Sequence, residues 1–226
     1  MDIQKMEKQK NVFLKGEGDE WYRRNEQAID NNKEHDPVIK LLDLYQIAPK
    51  SVLEVGCSNG WRLDAIQQKN NSICFGIDPS QEAIQAGKKR FSALQLTQGA
   101  ADKLEFENNA FDLIILGFCL YLCDRDDLFK IASEVDRVLA DNGVIAIYDF
   151  YSTIPYFNRY QYQDGIHSYK LCYENMFCWN PNYRKICSMN FSHDKKMSLN
   201  INKDDEVNVS LLKKEKSSGY IANPYK

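Results

Sequence analysis

The sequence predicts an α/β fold: a doubly wound, mostly parallel sheet of seven strands with helices on both faces and a C-terminal antiparallel hairpin. Two observations favour this fold. Through the middle of the chain, continuously apolar runs alternate with helical patterns, as expected for parallel strands covered on both faces. Near the end, Val207, Val209 and Leu211 alternate with polar residues, which is typical of a half-exposed antiparallel strand.

The elements follow in order along the chain. A first helix is expected over 37–47, with Asp36 as its cap and Pro37 in its first turn. Because parallel strands need right-handed crossovers, a helix is expected between most strands. The predicted strands are SVLEV (51–55), ICFGI (73–77), LQLTQ (94–98), FDLIIL (111–116) and GVIAIYD (143–149), and the connecting helices cover 61–69, 80–90 and 126–139. The segments YRKICSMNFS and VNVSLLKK form the terminal hairpin.

The pattern divides the chain into three parts of one compact unit. Residues 1–36 form an N-terminal flap or helical segment, and residues 37–150 form the core. Residues 151–226 hold a variable insertion and the terminal hairpin of the same domain. No linker rich in glycine, serine or proline separates these parts, so we expect them to fold together.

Composition narrows the class of protein. With 226 residues, 43% apolar and 27% charged, the chain is predicted to be globular and soluble. The longest uncharged apolar stretch, Leu113 to Cys123, is about half of what a membrane-spanning helix needs, and the N-terminus lacks the apolar core of a signal peptide. We therefore expect a cytoplasmic protein without a membrane partner. Its seven cysteines are expected to be reduced thiols, and its three histidines, including His35, lack the spacing of metal ligands.

Charge distribution points to a small-molecule partner. Residues 1–150 contain 18 Lys and Arg against 25 Asp and Glu, a net charge of −7, whereas residues 151–226 contain 11 against 7, a net charge of +4. The negative core argues against a nucleic-acid partner. The basic, tyrosine-rich end is compatible with an anionic ligand or nucleic acid, and also with solvated lysines around an aromatic core. The oligomeric state is left open.

The chemistry is expected in the loops after the first two strands. Glu54 to Gly60 form a glycine-rich turn between a strand and a helix, and Asp78 follows the next strand, 22 residues beyond Gly56. An acidic residue there is placed to accept hydrogen bonds from ribose hydroxyls. The Gly-x-x-x-Gly spacing does not fit a dinucleotide, and the Glu54 carboxylate favours a ligand with an ammonium or sulfonium group. S-adenosylmethionine fits this description.

These motifs resemble those of class I S-adenosylmethionine-dependent methyltransferases. The matching segments, over roughly residues 37–150, are VLEVGCSNGWRL, GIDPSQEAI, QGAADKLEF, NNAFDLIILGFCLYL and GVIAIYDF. The resemblance implies that Glu54, Gly56, Cys57, Ser58 and Gly60 surround the methionine part of the cofactor. It also implies that Asp78, with Pro79 beside it, holds the ribose, that Ala101 and Asp102 lie at the adenine, and that Phe118 lies beside the cofactor.

The sequence departs from the family pattern at two positions. Ser58 replaces a glycine in the middle of the first loop, and we expect ordinary backbone angles there and a slightly different turn. Tyr121 stands where many relatives have a histidine, which puts a histidine-dependent mechanism in doubt.

A weaker resemblance concerns the acceptor. The segment GEGDEWYRRN is similar to the N-terminal segment of methyltransferases associated with bacterial surface-sugar and pseudaminic-acid-type pathways. It implies a sugar or nucleotide-sugar acceptor and O-methylation. Two alternatives stay open: N-methylation of a small amine, and a non-catalytic scaffold that binds S-adenosylmethionine.

Three candidate catalytic residues follow from position alone. His167 lies in the variable segment where this fold builds its acceptor site, and it is either a general base or an ordinary surface histidine. Tyr121 either orients the acceptor or packs among leucines, and Asp149 is the polar candidate at the end of the fifth strand.

The flap is the last predicted component of the site. Trp21, Tyr22 and Arg24 are expected either to close over the cofactor, with Arg24 paired to the methionine carboxylate, or to form an ordinary amphipathic helix.

Overall fold

The structure is a computed structural model that describes residues 7–30, 36–194 and 200–225. Its main sheet has seven strands in the order β3-β2-β1-β4-β5-β9-β8. The strands are β1 (Ser51–Val55), β2 (Ile73–Asp78), β3 (Gln95–Gln98), β4 (Phe111–Gly117), β5 (Leu139–Phe150), β8 (Tyr183–Ser192) and β9 (Glu206–Lys214). A separate antiparallel pair consists of β6 (Tyr156–Arg159) and β7 (His167–Lys170).

The predicted fold class is confirmed. Strands β1 to β5 pair in parallel, whereas β9 pairs antiparallel to both β5 and β8. The strand order reverses beside β1, so the carboxyl ends of β1 and β4 open the crevice in which folds of this kind bind ligands. Two hydrophobic clusters, one on each face of the sheet, form the core.

Helices cover the sheet much as the apolar periodicity predicts. They are α3 (Pro37–Leu44), α4 (Trp61–Asn70), α5 (Gln81–Arg90), α6 (Leu128–Val138), α7 (Asn175–Cys178) and α8 (Lys216–Gly219). Side-chain caps fix where helices α3 and α5 begin. The Asp36 carboxylate accepts the Ile39 N–H at 3.0 Å, and the Ser80 hydroxyl accepts the Ala83 N–H at 3.0 Å. Among the described residues, no helix is both long and apolar enough to span a membrane.

The N-terminal segment, predicted as a flap, is helical where it is described. Helix α1 (Gln9–Val12) passes through a wider turn (Phe13–Glu17) into α2 (Gly18–Asp30), and we call residues 7–30 the N-terminal cover. Asp19 fixes the cover to the start of α5, since its carboxylate accepts the Ser80 hydroxyl at 2.7 Å and the Glu82 N–H at 2.9 Å. Residues 1–6 and 31–35 of the predicted flap, with His35, lie outside the described residues.

Candidate functional site

The N-terminal cover and the carboxyl ends of β1, β2 and β4 line a partly open cavity of about 870 Å³, a volume that includes solvent at its mouth. Its position at the reversal of strand order is the expected ligand site of a doubly wound sheet. Seven of the predicted cofactor residues line it: Gly56, Ser58, Asp78, Pro79, Ala101, Asp102 and Phe118. The cover contributes Lys10, Phe13, Gly18 and Trp21 to the wall.

The glycine-rich turn forms the cavity wall beside β4. Gly56 has a φ of +77°, and a side chain there would meet Cys119 at 2.7 Å and the Gly117 carbonyl at 2.8 Å. Only glycine therefore fits between the turn and the neighbouring strand. This close approach leaves the backbone of the turn open to the cavity.

The expectation of ordinary backbone angles at Ser58 is wrong. Ser58 has a φ of +50°, so the serine takes up the left-handed conformation that glycine normally supplies, and the turn keeps its shape at the expense of strain. Its Oγ is buried and has no hydrogen-bond partner among the described residues. The hydrogen bonds made by its main chain hold this conformation in place.

Asp78 is oriented by the main chain on both sides. Its carboxylate accepts the Ser58 N–H at 2.8 Å and the Ser80 N–H at 2.8 Å. Burial raises the pKa of Asp78 to about 6, although these two hydrogen bonds favour the ionised form. The carboxylate is thus fixed at the cavity wall at the tip of β2, where the sequence places a ribose ligand.

Asp102 also lines the cavity and is paired with two lysines. Lys10 of the cover and Lys130 of α6 both contact its carboxylate, and Lys10 also reaches Asp127 at 2.9 Å. Burial acts to raise the pKa of Asp102, but the hydrogen bonds from the lysines hold it below its usual value. Lys10 therefore joins the cover to two elements of the core across the predicted adenine end.

Glu54 does not line the cavity but lies directly behind its wall. A side chain at Gly117 would meet the Glu54 Oε1 at 2.7 Å. Glu54 is 1% exposed and receives a hydrogen bond from Arg62, which also donates to Asp36. Burial raises the pKa of Glu54 to about 7, in spite of the neighbouring guanidinium.

The remaining predicted residues of the turn have packing roles. The Cys57 Sγ is buried against Gly76, where a side chain would meet it at 2.6 Å. Gly60 has a φ of +79° and lies against Leu94 and Leu96. Neither residue lines the cavity, so both shape the turn from behind.

Tyr121 and Asp149 lie beside the cavity without lining it. The Tyr121 hydroxyl accepts a hydrogen bond from Trp21 Nε1 at 3.2 Å, and burial raises the pKa of this hydroxyl. The Asp149 carboxylate accepts the N–H groups of Leu120 at 2.8 Å, Tyr121 at 3.3 Å and Phe150 at 2.7 Å. Burial raises the pKa of Asp149 to about 7. The geometry gives Asp149 the role of holding the turn after β4.

His167, Arg24 and Tyr22 are not brought to the cavity. His167 lies in β7, and its backbone exchanges two hydrogen bonds with the Gln9 side chain. Arg24 pairs within the protein, to Glu17 at 2.5 Å and the Tyr160 hydroxyl at 3.0 Å, rather than facing a ligand. Tyr22 is 5% exposed in the core and donates to Glu26 at 3.0 Å. The amphipathic-helix alternative describes Tyr22 and Arg24 better.

Several cavity residues escape the sequence analysis. Lys10 and Phe13 lie in a polar N-terminal stretch that has no motif, and only tertiary packing brings them to the wall. Gly18 carries a signal in the Gly-x-Gly of the flap: a side chain there would meet the Ser80 nitrogen at 3.0 Å, so the cover packs closely on the loop after β2. In the part of the chain that the structure describes, no cluster of three or more His, Cys, Asp or Glu is arranged to hold a metal. All seven cysteines are free thiols.

The residues present fit S-adenosylmethionine. The cavity wall combines a turn at Gly56 in which no side chain fits, a fixed carboxylate at Asp78 and a buried Ser58 hydroxyl without a hydrogen-bond partner among the described residues. Glu54 adds a carboxylate behind the wall. These are the polar groups that a nucleoside with a cationic amino-acid end would need.

Comparison with known proteins agrees with this assignment. Residues 52–143 match the methyltransferase domain family. The chain is 23% identical over 118 residues to the ubiquinone/menaquinone biosynthesis C-methyltransferase of Campylobacter jejuni, covering 49% of each chain. It is 30% identical over 113 residues to a demethylmenaquinone methyltransferase of Staphylococcus aureus, covering 47% of this chain and 46% of that protein. The chain thus spans about half the length of the curated relatives it matches.

Solved structures share the fold at low sequence identity. The 1,6-didemethyltoxoflavin-N1-methyltransferase of Burkholderia thailandensis, solved with its substrate and S-adenosylhomocysteine, has a TM-score of 0.70 and 13% identity, with 95% of this chain and 93% of that chain covered. An S-adenosylmethionine-dependent methyltransferase of Methanosarcina mazei has a TM-score of 0.61 and 15% identity, with 80% and 98% covered. These findings confirm the predicted fold, and they are consistent with the resemblance to S-adenosylmethionine-dependent methyltransferases. Residues 52–143 are therefore similar to a methyltransferase domain, and the fold of the chain is shared with S-adenosylmethionine-dependent methyltransferases.

Proposed function

We propose that this protein transfers the methyl group of S-adenosylmethionine to a small-molecule acceptor. The observation that carries the proposal is the fixed Asp78 carboxylate at the cavity wall, held by two backbone N–H groups beside the glycine turn. When bound, the cofactor supplies an activated methyl group on a sulfonium. The protein's part is to hold both reactants and to exclude water.

The residues around the cavity are proposed to contact different parts of the cofactor. Asp78 accepts hydrogen bonds from the ribose hydroxyls, and Gly56 and Ser58 receive the methionine part. Asp102, fixed by Lys10 and Lys130, lies at the adenine. The cover closes the cavity through Phe13 and Trp21, which removes water from the reacting atoms.

For the acceptor we propose a hydroxyl of a sugar or sugar-derived metabolite. This proposal is supported by the resemblance of the segment GEGDEWYRRN to methyltransferases associated with bacterial surface-sugar pathways. In this protein the segment belongs to the N-terminal cover and supplies Gly18 and Trp21 to the cavity wall. His167 as a general base stays a prediction. N-methylation of an amine and a non-catalytic scaffold are the alternatives.

A planar ring is a second candidate acceptor. The wall near the end of β4 includes the Phe118 ring, which packs against Tyr148 at 4.6 Å and Phe150 at 5.2 Å between ring centres, and Trp21 of the cover lines the same cavity. Aromatic walls favour flat, apolar ligands. Proteins named for quinone and toxoflavin methylation are among those similar to this chain.

The first experiment is calorimetric titration with S-adenosylmethionine, S-adenosylhomocysteine and NAD. We expect micromolar binding of the first two and none of NAD. Asp78→Ala is expected to weaken binding by roughly 10- to 100-fold, through the loss of charge-assisted hydrogen bonds. Unchanged affinity in Asp78→Ala would refute the ribose assignment.

Transfer of a radiolabelled methyl group to two acceptor panels, methyl glycosides and dihydroxybenzenes, distinguishes the acceptor classes. Methylation of the glycosides supports the sugar proposal, and methylation of the arenes alone supports a planar ring. Cofactor binding without turnover on any acceptor favours the scaffold.

A further inference from the structure

A buried cluster of three charged groups lies behind the cavity wall. Arg62 of α4 lies between Asp36, which precedes α3, and Glu54 of β1. The side chains of these residues are 8%, 2% and 1% exposed. Taken with Glu54 ionised, the cluster has two negative charges and one positive charge. A net negative charge is thus held in the interior, where charges interact strongly.

The hydrogen bonds of Arg62 are divided unequally between the two carboxylates. Both Nε and Nη2 donate to the Asp36 Oδ2, at 3.1 and 3.0 Å, whereas only Nη1 donates to the Glu54 Oε1. The other oxygen of Asp36 is used as well, since it accepts the Ile39 N–H. Asp36 therefore fixes the guanidinium in an orientation that gives Glu54 a single hydrogen bond.

The consequence is an unpaired oxygen on Glu54. Its Oε2 is buried without a hydrogen-bond partner within residues 7–30, 36–194 and 200–225. A guanidinium forms two parallel hydrogen bonds to a carboxylate when it is free to do so. Here Nε and Nη2 of Arg62 donate to Asp36, and only Nη1 donates to Glu54.

We propose that Asp36 and Arg62 are positioning residues that keep Glu54 only partly neutralised, so that its charge balances the cationic amino-acid end of S-adenosylmethionine. This inference rests on the proposed function and deepens it. Gly117 is the wall residue between the Glu54 carboxylate and the cavity, and any side chain there would meet both Glu54 and Arg62 Nη1, at 2.7 and 2.9 Å. The cluster therefore lies close behind the surface that the ligand contacts.

The groups around Glu54 are consistent with this role. Besides Arg62 and Asp36, the charged or titratable neighbours that act on it include Asp78 at the end of β2. Arg62 in turn lies 5.8 Å from the centre of the Tyr148 ring on β5. Arg62 supplies the positive charge of this cluster, and it divides its hydrogen bonds between Asp36 and Glu54. A bound cation would supply the missing positive charge.

The test compares two ligands that differ in the amino-acid end, whose ammonium is the group that the charge of Glu54 would balance. S-adenosylhomocysteine contains the amino-acid group, whereas 5′-methylthioadenosine lacks it and keeps the nucleoside. Both are titrated calorimetrically into the full chain and into Asp36→Asn, Glu54→Gln and the control Asp43→Asn. Asp43 forms an exposed pair with Lys69, so the control changes the same kind of charge at the surface. Urea unfolding of each cofactor-free variant shows that it is folded.

We expect Asp36→Asn and Glu54→Gln each to weaken S-adenosylhomocysteine binding by about tenfold or more. Both should leave 5′-methylthioadenosine within about twofold of the unmodified protein, as should Asp43→Asn for both ligands. Equal losses for the two ligands, or no loss for either, would overturn the inference, because a purely structural cluster does not distinguish them. If Asp36→Asn does not fold, Glu54→Gln, which keeps a hydrogen bond to Arg62, decides. If the unmodified protein binds neither ligand, the proposed function itself fails.

Discussion

Ser58→Gly is expected to stabilise the protein although it removes a side chain. A non-glycine residue in the left-handed region costs about 1–2 kcal/mol, and Ser58 has a φ of +50°. A buried hydroxyl without a partner costs a further 1–3 kcal/mol or so, and the Ser58 Oγ has none among the described residues. Against these gains, glycine lowers the free energy of unfolding by about 0.5–1 kcal/mol, because it has greater conformational freedom in the unfolded chain. The net gain is about 1–4.5 kcal/mol.

The assay is urea and thermal unfolding of the cofactor-free protein. Each kcal/mol corresponds to a rise in Tm of about 2–4 °C for a chain of this size. Ser58→Ala is the matched control, since it removes the hydroxyl but keeps the strained backbone, and it should fall between the other two proteins. A Ser58→Gly protein no more stable than the original refutes the reasoning. Equal stability of the alanine and glycine variants would refute the part that rests on strain.

Three further predictions concern pH and the cover. Because burial raises the pKa of Asp78 to about 6 and its ionised form is the one that accepts hydrogen bonds from ribose, calorimetry should find S-adenosylhomocysteine binding about tenfold weaker at pH 5 than at pH 8. Burial raises the pKa of Asp149 to about 7 in the folded protein, so the native state binds a proton at a higher pH than the unfolded chain, and the free energy of unfolding rises as pH falls. Between pH 7.5 and 5.5, urea unfolding should show that this free energy increases by about 1–2 kcal/mol more in the unmodified protein than in Asp149→Asn. A pH profile of equal slope in both proteins would contradict this. Lys10→Met, which removes the contacts of the cover to Asp102 and Asp127, should speed S-adenosylhomocysteine dissociation about 3- to 10-fold in stopped-flow measurements, whereas Lys15→Met, in an exposed pair with Glu7, should not. Equal dissociation rates for the two lysine variants would show that Lys10 does not hold the cover.

The sheet was predictable because its signals are local. Continuous apolar runs define buried parallel strands, and the observed β1 (Ser51–Val55) coincides with the predicted one. Capping at Asp36 and Ser80 is likewise a property of a few neighbouring residues. Boundaries shift where pairing with other strands adds residues, as in β5, which begins at Leu139 rather than at residue 143.

The cofactor end of the site was predictable for a related reason. Residues at the carboxyl ends of parallel strands meet at one edge of the sheet, so Gly56, Ser58, Asp78 and Phe118 come together once the strand order is known. The conformation of Ser58 was not predictable from its residue type, since contacts around the turn override the intrinsic preference of serine.

The sequence by itself determined the fold class and the edge of the sheet at which the predicted cofactor residues gather, because apolar periodicity and short motifs are encoded by neighbouring residues. Only the tertiary structure decided what covers that edge and how its charges are paired. Lys10 meets Asp102, and Arg24 meets Tyr160, across long separations in the chain. The division of Arg62 between Asp36 and Glu54 likewise depends on the packing of three elements. Such pairings depend on distances between side chains in space, which no local pattern of residues contains.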